Sequence, residues 1–295
     1  MGTPPAPAPQ YGAQYGHGWA FPHPPPPSPP ERPEGADPWP RWPVWYGPAA
    51  MAVGLVATVM AVVILGAFLS AGGGDPTNNS AFNQIATVIQ DVVFIGAAIL
   101  FAARTGRPKA WQFGIRRSRF WPSVGWAAAG IGAFWVFAIV YSVIVRPKGE
   151  QDTLDSLGTN DSHLALVCAA VLVIVIAPVA EEFFFRGFFY RALRSRFSVA
   201  PAAIIDGVLF GAIHFQGAGT LEILPVLAAL GIMFCLVYER TGSLFTTIAL
   251  HSLNNLIAYG GGTHEWGVAG IVGGAALLVW MTLPRLLPKT DPAMR

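Results

Sequence analysis

The sequence predicts an all-α protein that crosses a membrane about eight times, with its helices packed around a buried polar cavity. Hydrophobic residues make up 53% of the 295 residues, charged residues only 12%, and the mean hydropathy is +0.49. Soluble proteins carry about 25% charged residues. The apolar residues form long continuous runs rich in Ala, Leu, Val and Ile, which is typical of membrane-spanning helices and not of strands. The net charge of +2 is too small to indicate a nucleic-acid partner.

The first 44 residues differ in composition from the rest. Fifteen of the 26 prolines lie there, and such a segment cannot bury enough apolar surface to offset the entropy of ordering it. We therefore expect residues 1–44 to form a disordered, Pro-rich cytoplasmic tail. It has no apolar segment of its own and so is not a signal peptide. Residues 45–288 are predicted to form the transmembrane domain, and residues 289–295 a short cytoplasmic tail.

About 20 apolar residues are needed to cross the hydrocarbon core as a helix. The sequence contains eight apolar runs, of which the fifth and the seventh are short. They cover about 49–71, 85–104, 121–145, 163–190, 200–215, 221–238, 244–259 and 267–284.

Basic residues concentrate in every second connection between these runs. They are Arg104, Arg107, Lys109, Arg116, Arg117 and Arg119, then Arg191, Arg194 and Arg196, then Arg240, and finally Arg285, Lys289 and Arg295. The other connections are acidic, with Arg146 and Lys148 as the basic exceptions: they hold Asp75, then Glu150, Asp152, Asp155 and Asp161, then Glu222, and then Glu265. Because cytoplasmic loops carry the excess of Lys and Arg, we expect a multi-pass protein of the cell membrane with both termini in the cytoplasm. The regular alternation also supports an even number of spans.

Three charged residues interrupt the fourth apolar run. They are Glu181, Glu182 and Arg186. A single ionised side chain near the centre of a bilayer costs about 2.5–3.5 kcal/mol on insertion scales, so such groups face protein or water and mark functional sites. On a helix, residues four apart share a face, and we expect Glu182 to pair with Arg186. Glu181 is rotated by about 100° from its neighbour, which leaves it to face a cavity.

Two of the six histidines lie within apolar runs. His214 follows Phe210 by four residues, and His251 precedes Asn255 by four, so each pair projects from one helical face. A single histidine in a membrane helix is more often a hydrogen-bonded packing residue than a catalyst. Two histidines, a free carboxylate and an amide on three polar helices together favour chemistry or ion handling over a structural role. Asp206 lies two turns before His214, and a supporting role for it and simple packing are equally compatible with the sequence.

The sequence lacks the motifs that mark several types of intramembrane catalysis. The chain has no HExxH zinc motif, no rhomboid-type GxSG loop and no presenilin-type pair of aspartates. The polar set that remains can activate water by general base catalysis and can stabilise an oxyanion with imidazole and amide donors.

Three short motifs in a fixed order resemble those of the CAAX-prenyl-protease and bacteriocin-processing (CPBP) family, which includes the type II CAAX prenyl endopeptidases. The resemblance covers about residues 85–284. The motifs are Glu-Glu-x-x-x-Arg at Glu181, Glu182 and Arg186, Phe-x-x-x-His at Phe210 and His214, and His-x-x-x-Asn at His251 and Asn255.

The resemblance implies an endopeptidase that cleaves a membrane-associated peptide or protein. It implies that Glu181 activates water with help from His214, and that His251 and Asn255 stabilise the oxyanion. Supporting roles would fall to Glu182, Arg186 and Phe210.

Whether a metal takes part is open at the sequence level. The family is usually described as metalloproteases, and Glu181, His214 and His251 could hold Zn²⁺ with water in an open position. A metal-free glutamate–histidine pair suits the sequence slightly better, because Asn255 is a poor zinc ligand and a good oxyanion donor.

The alternative from another class is a non-enzymatic membrane protein, such as a bacteriocin immunity factor, a scaffold or a proton-linked carrier. A carrier should show internal repeats of its spans, and none is visible.

The depths of the site residues in the membrane raise one further question. Helical rise puts Glu181 and His251 near the cytoplasmic side and His214 deeper, at about 20 Å, unless the fifth span is strongly tilted or re-entrant.

Overall fold

The computed structural model describes residues 42–76, 79–147 and 153–287, and these residues form helices and connections without a strand. Short helical turns at Ala110–Phe113, Thr153–Ser156 and Ala218–Thr220 lie in the connections. The longer helices are α1 Tyr46–Ala71, α2 Ser80–Ala103, α3 Phe120–Val145, α4 His163–Arg194, α5 Val199–Ala212, α6 Leu224–Thr241, α7 Leu244–Thr263 and α8 Trp266–Leu286.

Polar caps begin two helices that carry site residues. The Asn79 side chain accepts a hydrogen bond from the backbone N–H of Phe82 (2.9 Å) at the start of α2. Ser162 accepts from the N–H of Ala165 (3.1 Å) at the start of α4. Each cap satisfies a backbone donor that has no partner within its own helix. The long apolar runs therefore begin at a defined residue.

Helix α4 is not a regular α-helix throughout. Its hydrogen-bond pattern widens to that of a π-helix at Leu172–Ile176 and again at Phe183–Phe189. The first wide turn lies just before Pro178, whose ring would clash with the carbonyl four residues earlier in a regular helix. The second follows Glu182 directly. Wide turns of this kind occur often at functional sites.

One end of the bundle collects the basic connections. Arg116 Nε donates to Gly242 O (2.5 Å), which joins the α2–α3 connection to the turn between α6 and α7. Arg117 Nε donates to Pro284 O (2.8 Å) near the end of α8. Gly242 has a left-handed φ of +63°, and a Cβ there would collide with the Arg116 guanidinium. We name this the basic end, and its basic residues lie together as the sequence predicted.

The opposite end joins the other connections. Gln84 Nε2 donates to Leu157 O (2.7 Å), and Tyr141 OH donates to Glu222 O (2.7 Å). Gln216 Nε2 contacts Thr153 Oγ1 at 2.9 Å. The eight helices thus run alternately between the two ends. The predictions for Lys148, Glu150, Asp152, Lys289 and Arg295, and for nearly all of the Pro-rich tail, lie outside the described residues.

Among the described residues, six helices are long and apolar enough to cross a membrane: α1, α2, α3, α4, α6 and α8. Helix α5 is apolar but has 14 residues, about 21 Å at 1.5 Å per residue. Helix α7 has 20 residues and carries the polar segment around His251. A polytopic all-α membrane protein is therefore confirmed, whereas the count of eight crossings stays a prediction.

Glycines let α5 and α6 approach closely. A Cβ on Gly207 would lie 2.6 Å from Ile232 N, and one on Gly231 would lie 2.8 Å from Gly207 Cα. Small residues at such crossings allow backbone contact between membrane helices. At the basic end, Trp42 is buried against Phe113 and Phe188, with ring centroids 5.0 and 5.1 Å away.

The length of α4 accounts for the depth of the site residues. Helix α4 continues to Arg194, beyond the predicted end of the fourth span at residue 190. Glu181 therefore lies about 20 Å from the basic end of its helix, and His214 about 22 Å from the start of α5. These two depths agree with each other, whereas His251, seven residues after the start of α7, lies about 10 Å from the basic end of its own helix by the same rise.

Candidate active site

The two adjacent glutamates of α4 have different surroundings. Glu182 is fully buried, and its Oε1 accepts from Arg186 Nη1 at 2.9 Å, as the four-residue spacing predicted. Glu181 keeps about 17% of its side chain exposed. The predicted division into one paired and one open carboxylate is therefore confirmed by the geometry.

Arg186 is enclosed by groups from two other helices, α5 and α6. Its Nη2 donates to Gly231 O of α6 at 2.9 Å, and its Nε lies 3.7 Å from Asp206 Oδ1 of α5. The guanidinium lies 4.5 Å from the Phe210 ring centroid and 5.0 Å from that of Phe234. Such cation–π contacts add to the ion pairs around this buried cation.

Asp206 is fully buried beside Arg186, and its Oδ1 also accepts from the Cys235 thiol at 3.0 Å. Its contact with Arg186, which in turn holds Glu182, favours a supporting role over simple packing. The sequence left these two alternatives open.

His251 lies between the two glutamates. Its Nδ1 is 3.0 Å from Glu182 Oε1, and its Nε2 is 3.8 Å from Glu181 Oε2. The ring stacks on Phe234 with a centroid distance of 4.7 Å. An ionised Glu182 only accepts hydrogen bonds, so Nδ1 donates to it and the ring is held with Nε2 toward Glu181. The contact between Glu182 and His251 joins α4 to α7 and was not predicted.

Glu181 lines a pocket between α2 and α4. The pocket is small, with room for about one water molecule, and it is partly open to the outside. Its walls are Gln90, Asp91, Phe94, Ala180, Glu181, Phe184, Phe185 and Ile213. Glu181 Oε2 is buried and has no hydrogen-bond partner among the described groups. The same oxygen lies 3.8 Å from His251 Nε2, so Glu181 stands between His251 and the pocket.

His214 and Phe210 lie at the end of α5. His214 Nδ1 is 2.8 Å from Phe210 O, and because a carbonyl only accepts, Nδ1 carries the hydrogen. The Phe210 ring centroid lies 5.0 Å from the His214 ring and 5.8 Å from the His251 ring. Phe210 therefore lies beside both imidazoles, and its place next to His214 agrees with the helical face that the sequence predicted for this pair.

Asn255 lies one turn after His251 on α7. Its Nδ2 donates to Val173 O at 2.9 Å, and its Oδ1 accepts from Asn254 Nδ2 at 3.3 Å. Val173 belongs to the first wide turn of α4. An amide has two N–H bonds, so this contact fixes the orientation of Asn255 and leaves the second N–H for another acceptor.

Asp91 was missed by the sequence analysis. It is buried in the middle of α2, and it lines the pocket that also contains Glu181. The available signal was simple, because Asp91 is the only ionisable side chain in the 24 residues of α2. An isolated charge in an apolar span indicates a functional group.

The residues that could hold zinc are not arranged as a metal site. Within the ranges that the structure describes, no group of three or more His, Cys, Asp and Glu side chains could hold a metal ion. The predicted set of Glu181, His214 and His251 is therefore not brought together as ligands.

Comparisons with known proteins agree with the motifs. Residues 163–257 match the family model described as "Type II CAAX prenyl endopeptidase Rce1-like". The chain is also 25% identical over 190 residues to the "Putative membrane peptidase YdiL" of Bacillus subtilis (strain 168), an alignment covering 62% of this chain and 74% of that protein. No solved structure is significantly similar. The similarities support a membrane protease, and they confirm the resemblance of this chain to the CPBP family.

Proposed function

We propose that this protein is an intramembrane endopeptidase in which Glu181 activates the water that cleaves a membrane-associated peptide or protein. The observation that carries the proposal is the difference between the paired glutamates. Glu182 is held by Arg186 and His251, whereas Glu181 lines the pocket with an oxygen that has no partner among the described groups. A general base needs such access to the proton that it removes.

In the first step, the Glu181 carboxylate takes a proton from water while the water oxygen attacks the carbonyl carbon of the scissile peptide bond. The electron pair of the C=O bond moves to oxygen and forms the oxyanion. In the second step the oxyanion re-forms the carbonyl, the C–N bond breaks, and the leaving nitrogen takes the proton from Glu181. One group thus serves first as base and then as acid.

His251 and Asn255 are proposed to donate hydrogen bonds to the oxyanion. With Nδ1 donating to Glu182, donation from Nε2 requires the imidazolium form of His251, and the Glu182 carboxylate then balances its charge. Asn255 would use the N–H that does not contact Val173. Donors held in place before the reaction are the most effective, because they need no reorganisation as charge develops.

His214 is proposed to assist Glu181 in activating water. Its Nδ1–H is engaged by Phe210 O, so a neutral His214 presents an unprotonated Nε2, which accepts a proton. Asp206 is proposed to act only through Arg186, by holding the cation that orients Glu182.

The pocket walls favour an apolar group of the substrate. Phe94, Phe184, Phe185 and Ile213 surround the space beside Glu181. The matched family is described as a CAAX prenyl endopeptidase, so an apolar side chain and a prenyl group are both candidates for the part of the substrate that lies near Glu181. We propose that the protein lies in the cell membrane with its basic end and both termini in the cytoplasm, because cytoplasmic connections carry the excess of Lys and Arg.

The decisive experiment replaces Glu181 by Gln in purified protein in detergent micelles. The substrates are internally quenched peptides of mixed sequence and a farnesylated CAAX-type peptide. We expect kcat to fall by about 10²–10⁴-fold, the usual contribution of a positioned general base, with little change in Tm because the shape of the side chain is kept.

The control for this experiment is Glu265→Gln, which removes an exposed carboxylate at the start of α8 and should leave kcat unchanged. Parallel assays with a zinc chelator separate a metal-dependent reaction from a direct one, and we expect activity to persist. Unchanged cleavage by Glu181→Gln would reject Glu181 as the base. No cleavage of any peptide by the unmodified protein would favour the non-enzymatic alternative.

A further inference from the structure

Asp91 is an unexplained carboxylate in the middle of an apolar helix. The side chain is 4% exposed, and its Oδ2 has no hydrogen-bond partner among the described groups. Its neighbours along α2, from Ala86 to Phe101, are apolar apart from Thr87 and Gln90. Buried polar groups in proteins nearly always have a partner, so each exception needs a specific explanation. Packing alone would be served better by an apolar side chain.

The position of Asp91 supplies that explanation. Asp91 and Glu181 line one pocket from opposite helices, Asp91 from α2 and Glu181 from α4. Each has one buried oxygen without a hydrogen-bond partner among the described groups. Gln90, also on α2, adds an amide to the same wall. The other walls are carbon, so the polar groups converge on a limited part of the pocket.

We propose that Asp91 is a second carboxyl group of the active site, which accepts a hydrogen bond from the attacking water while Glu181 accepts the other. A water molecule has two O–H bonds. When one points to Glu181 and one to Asp91, the lone pairs of the oxygen are directed away from both carboxylates, toward the substrate carbonyl. Asp91 thereby orients the nucleophile, and Glu181 removes its proton. The inference rests on the proposed peptidase function.

The role of Asp91 differs from that of the groups around Arg186. Asp206 and Glu182 contact the buried guanidinium, and their charge is needed to keep it in place. No such ion pair with a basic side chain is described for Asp91. Removing its carboxyl group should therefore leave the fold intact and affect only the reacting water, whose orientation strongly influences the rate.

The test compares Asp91→Leu, which removes the acceptor, with Asp91→Asn, which keeps one acceptor oxygen of the same shape. With the quenched peptides we expect Asp91→Leu to lower kcat by about 100-fold or more, a typical effect of losing a group that handles a reacting proton. KM should change little, and Tm should be equal or higher. Asp91→Asn should retain an intermediate kcat.

Thr58→Val is the matched control. Thr58 also has a buried oxygen without a described partner, but it lies on α1 and not in the pocket wall. Its kcat should equal that of the unmodified protein. Because Tm is measured for every variant, loss of folded protein is distinguished from loss of catalysis.

The outcomes separate the two proposals. If Glu181→Gln abolishes cleavage while Asp91→Leu keeps the normal kcat, the role of Asp91 is wrong and the peptidase proposal stands. A lowered Tm with unchanged kcat per folded molecule would make Asp91 a packing residue and overturn the inference. If the unmodified protein and Glu181→Gln behave alike, the peptidase proposal itself fails and the inference falls with it.

Discussion

Two clusters of buried charge in this protein contain similar residues in different states of pairing. The first lies at the basic end and consists of Tyr190, Arg191, Arg194, Tyr238 and Glu239, all at most 1% exposed. Arg194 binds both oxygens of Glu239 at 2.9 and 3.2 Å, and Tyr190 OH donates to Glu239 at 2.9 Å. Arg191 donates to Tyr238, which donates to Phe113 O. We name this the basic-end cluster.

The second cluster surrounds Glu181 and is less completely paired. Among the described residues, one buried oxygen or nitrogen of a charged side chain has no hydrogen-bond partner in each of Asp91, Glu181, Glu182, Arg186 and Asp206. No atom of the basic-end cluster is in that state. Fully paired buried charges hold helices together, whereas unsatisfied ones indicate a site that acts on something else. The comparison therefore distinguishes a fully paired charge cluster from a less completely paired one, at which we propose the active site.

The largest effect should come from breaking the basic-end cluster. Glu239→Ala leaves Arg194 buried without its carboxylate, and removal of one partner of a buried ion pair costs about 3–5 kcal/mol. We expect a large fall in Tm and in the denaturant midpoint, with kcat per folded molecule unchanged. Glu265→Ala, at an exposed site, serves as the control. Reduced kcat in protein that stays fully folded would show that this cluster takes part in catalysis.

The second effect should appear in the rate and not in the stability. Asn255→Ala removes a proposed oxyanion donor, and loss of one such donor costs about 10²–10³-fold in kcat. Asn83→Ala is a matched control, because Asn83 also donates from its amide to a backbone carbonyl, that of Ser156 at 2.8 Å, but at the end away from the basic connections. Equal kcat for the two variants would contradict the proposed role of Asn255.

The smallest effect should come from trimming one hydrogen bond of the basic-end cluster. Tyr190→Phe removes the hydroxyl that donates to Glu239 but keeps the ion pair with Arg194. Side-chain hydrogen bonds between membrane helices contribute about 0.6 kcal/mol on average, so we expect a small decrease in Tm and normal kcat. A loss as large as that of Glu239→Ala would mean that the hydroxyl, and not the ion pair, holds the cluster together.

The fold was predictable because the length of an apolar run in the sequence is enough to indicate a membrane helix. All eight predicted runs overlap a helix of the structure. The error at the end of α4 has a physical cause. Arg191 and Arg194 look like the boundary of an apolar run, but both are buried in the basic-end cluster, so the helix continues through them. The sequence alone does not show that a charged residue is paired through tertiary contacts.

The site was predictable only where its contacts are local. The pairing of Glu182 with Arg186 follows from helical spacing. The contact of Glu182 with His251 and the position of Asp91 depend on how α2, α4 and α7 are rotated against one another. Helices that are apolar on all sides carry no periodic pattern that reveals their rotation. The wide turns of α4 could not be predicted for a similar reason, because they depend on Pro178 and on its neighbours in space.

Because α4 contains two π-helical turns, the number of residues in this helix helps to determine the direction in which its side chains face. A wide turn holds more residues than a regular turn, so the same chain forms fewer turns. Its effect is that of one extra residue inserted into a regular helix whose two ends stay in place. Each residue of a regular helix adds about 100° of rotation. The angle at which Glu181 faces the pocket, relative to the capped start of α4 at Ser162, is therefore determined by chain length as well as by side-chain chemistry. Removing one residue before this segment would rotate it by about 100° and move Glu182 to the face that Glu181 now occupies.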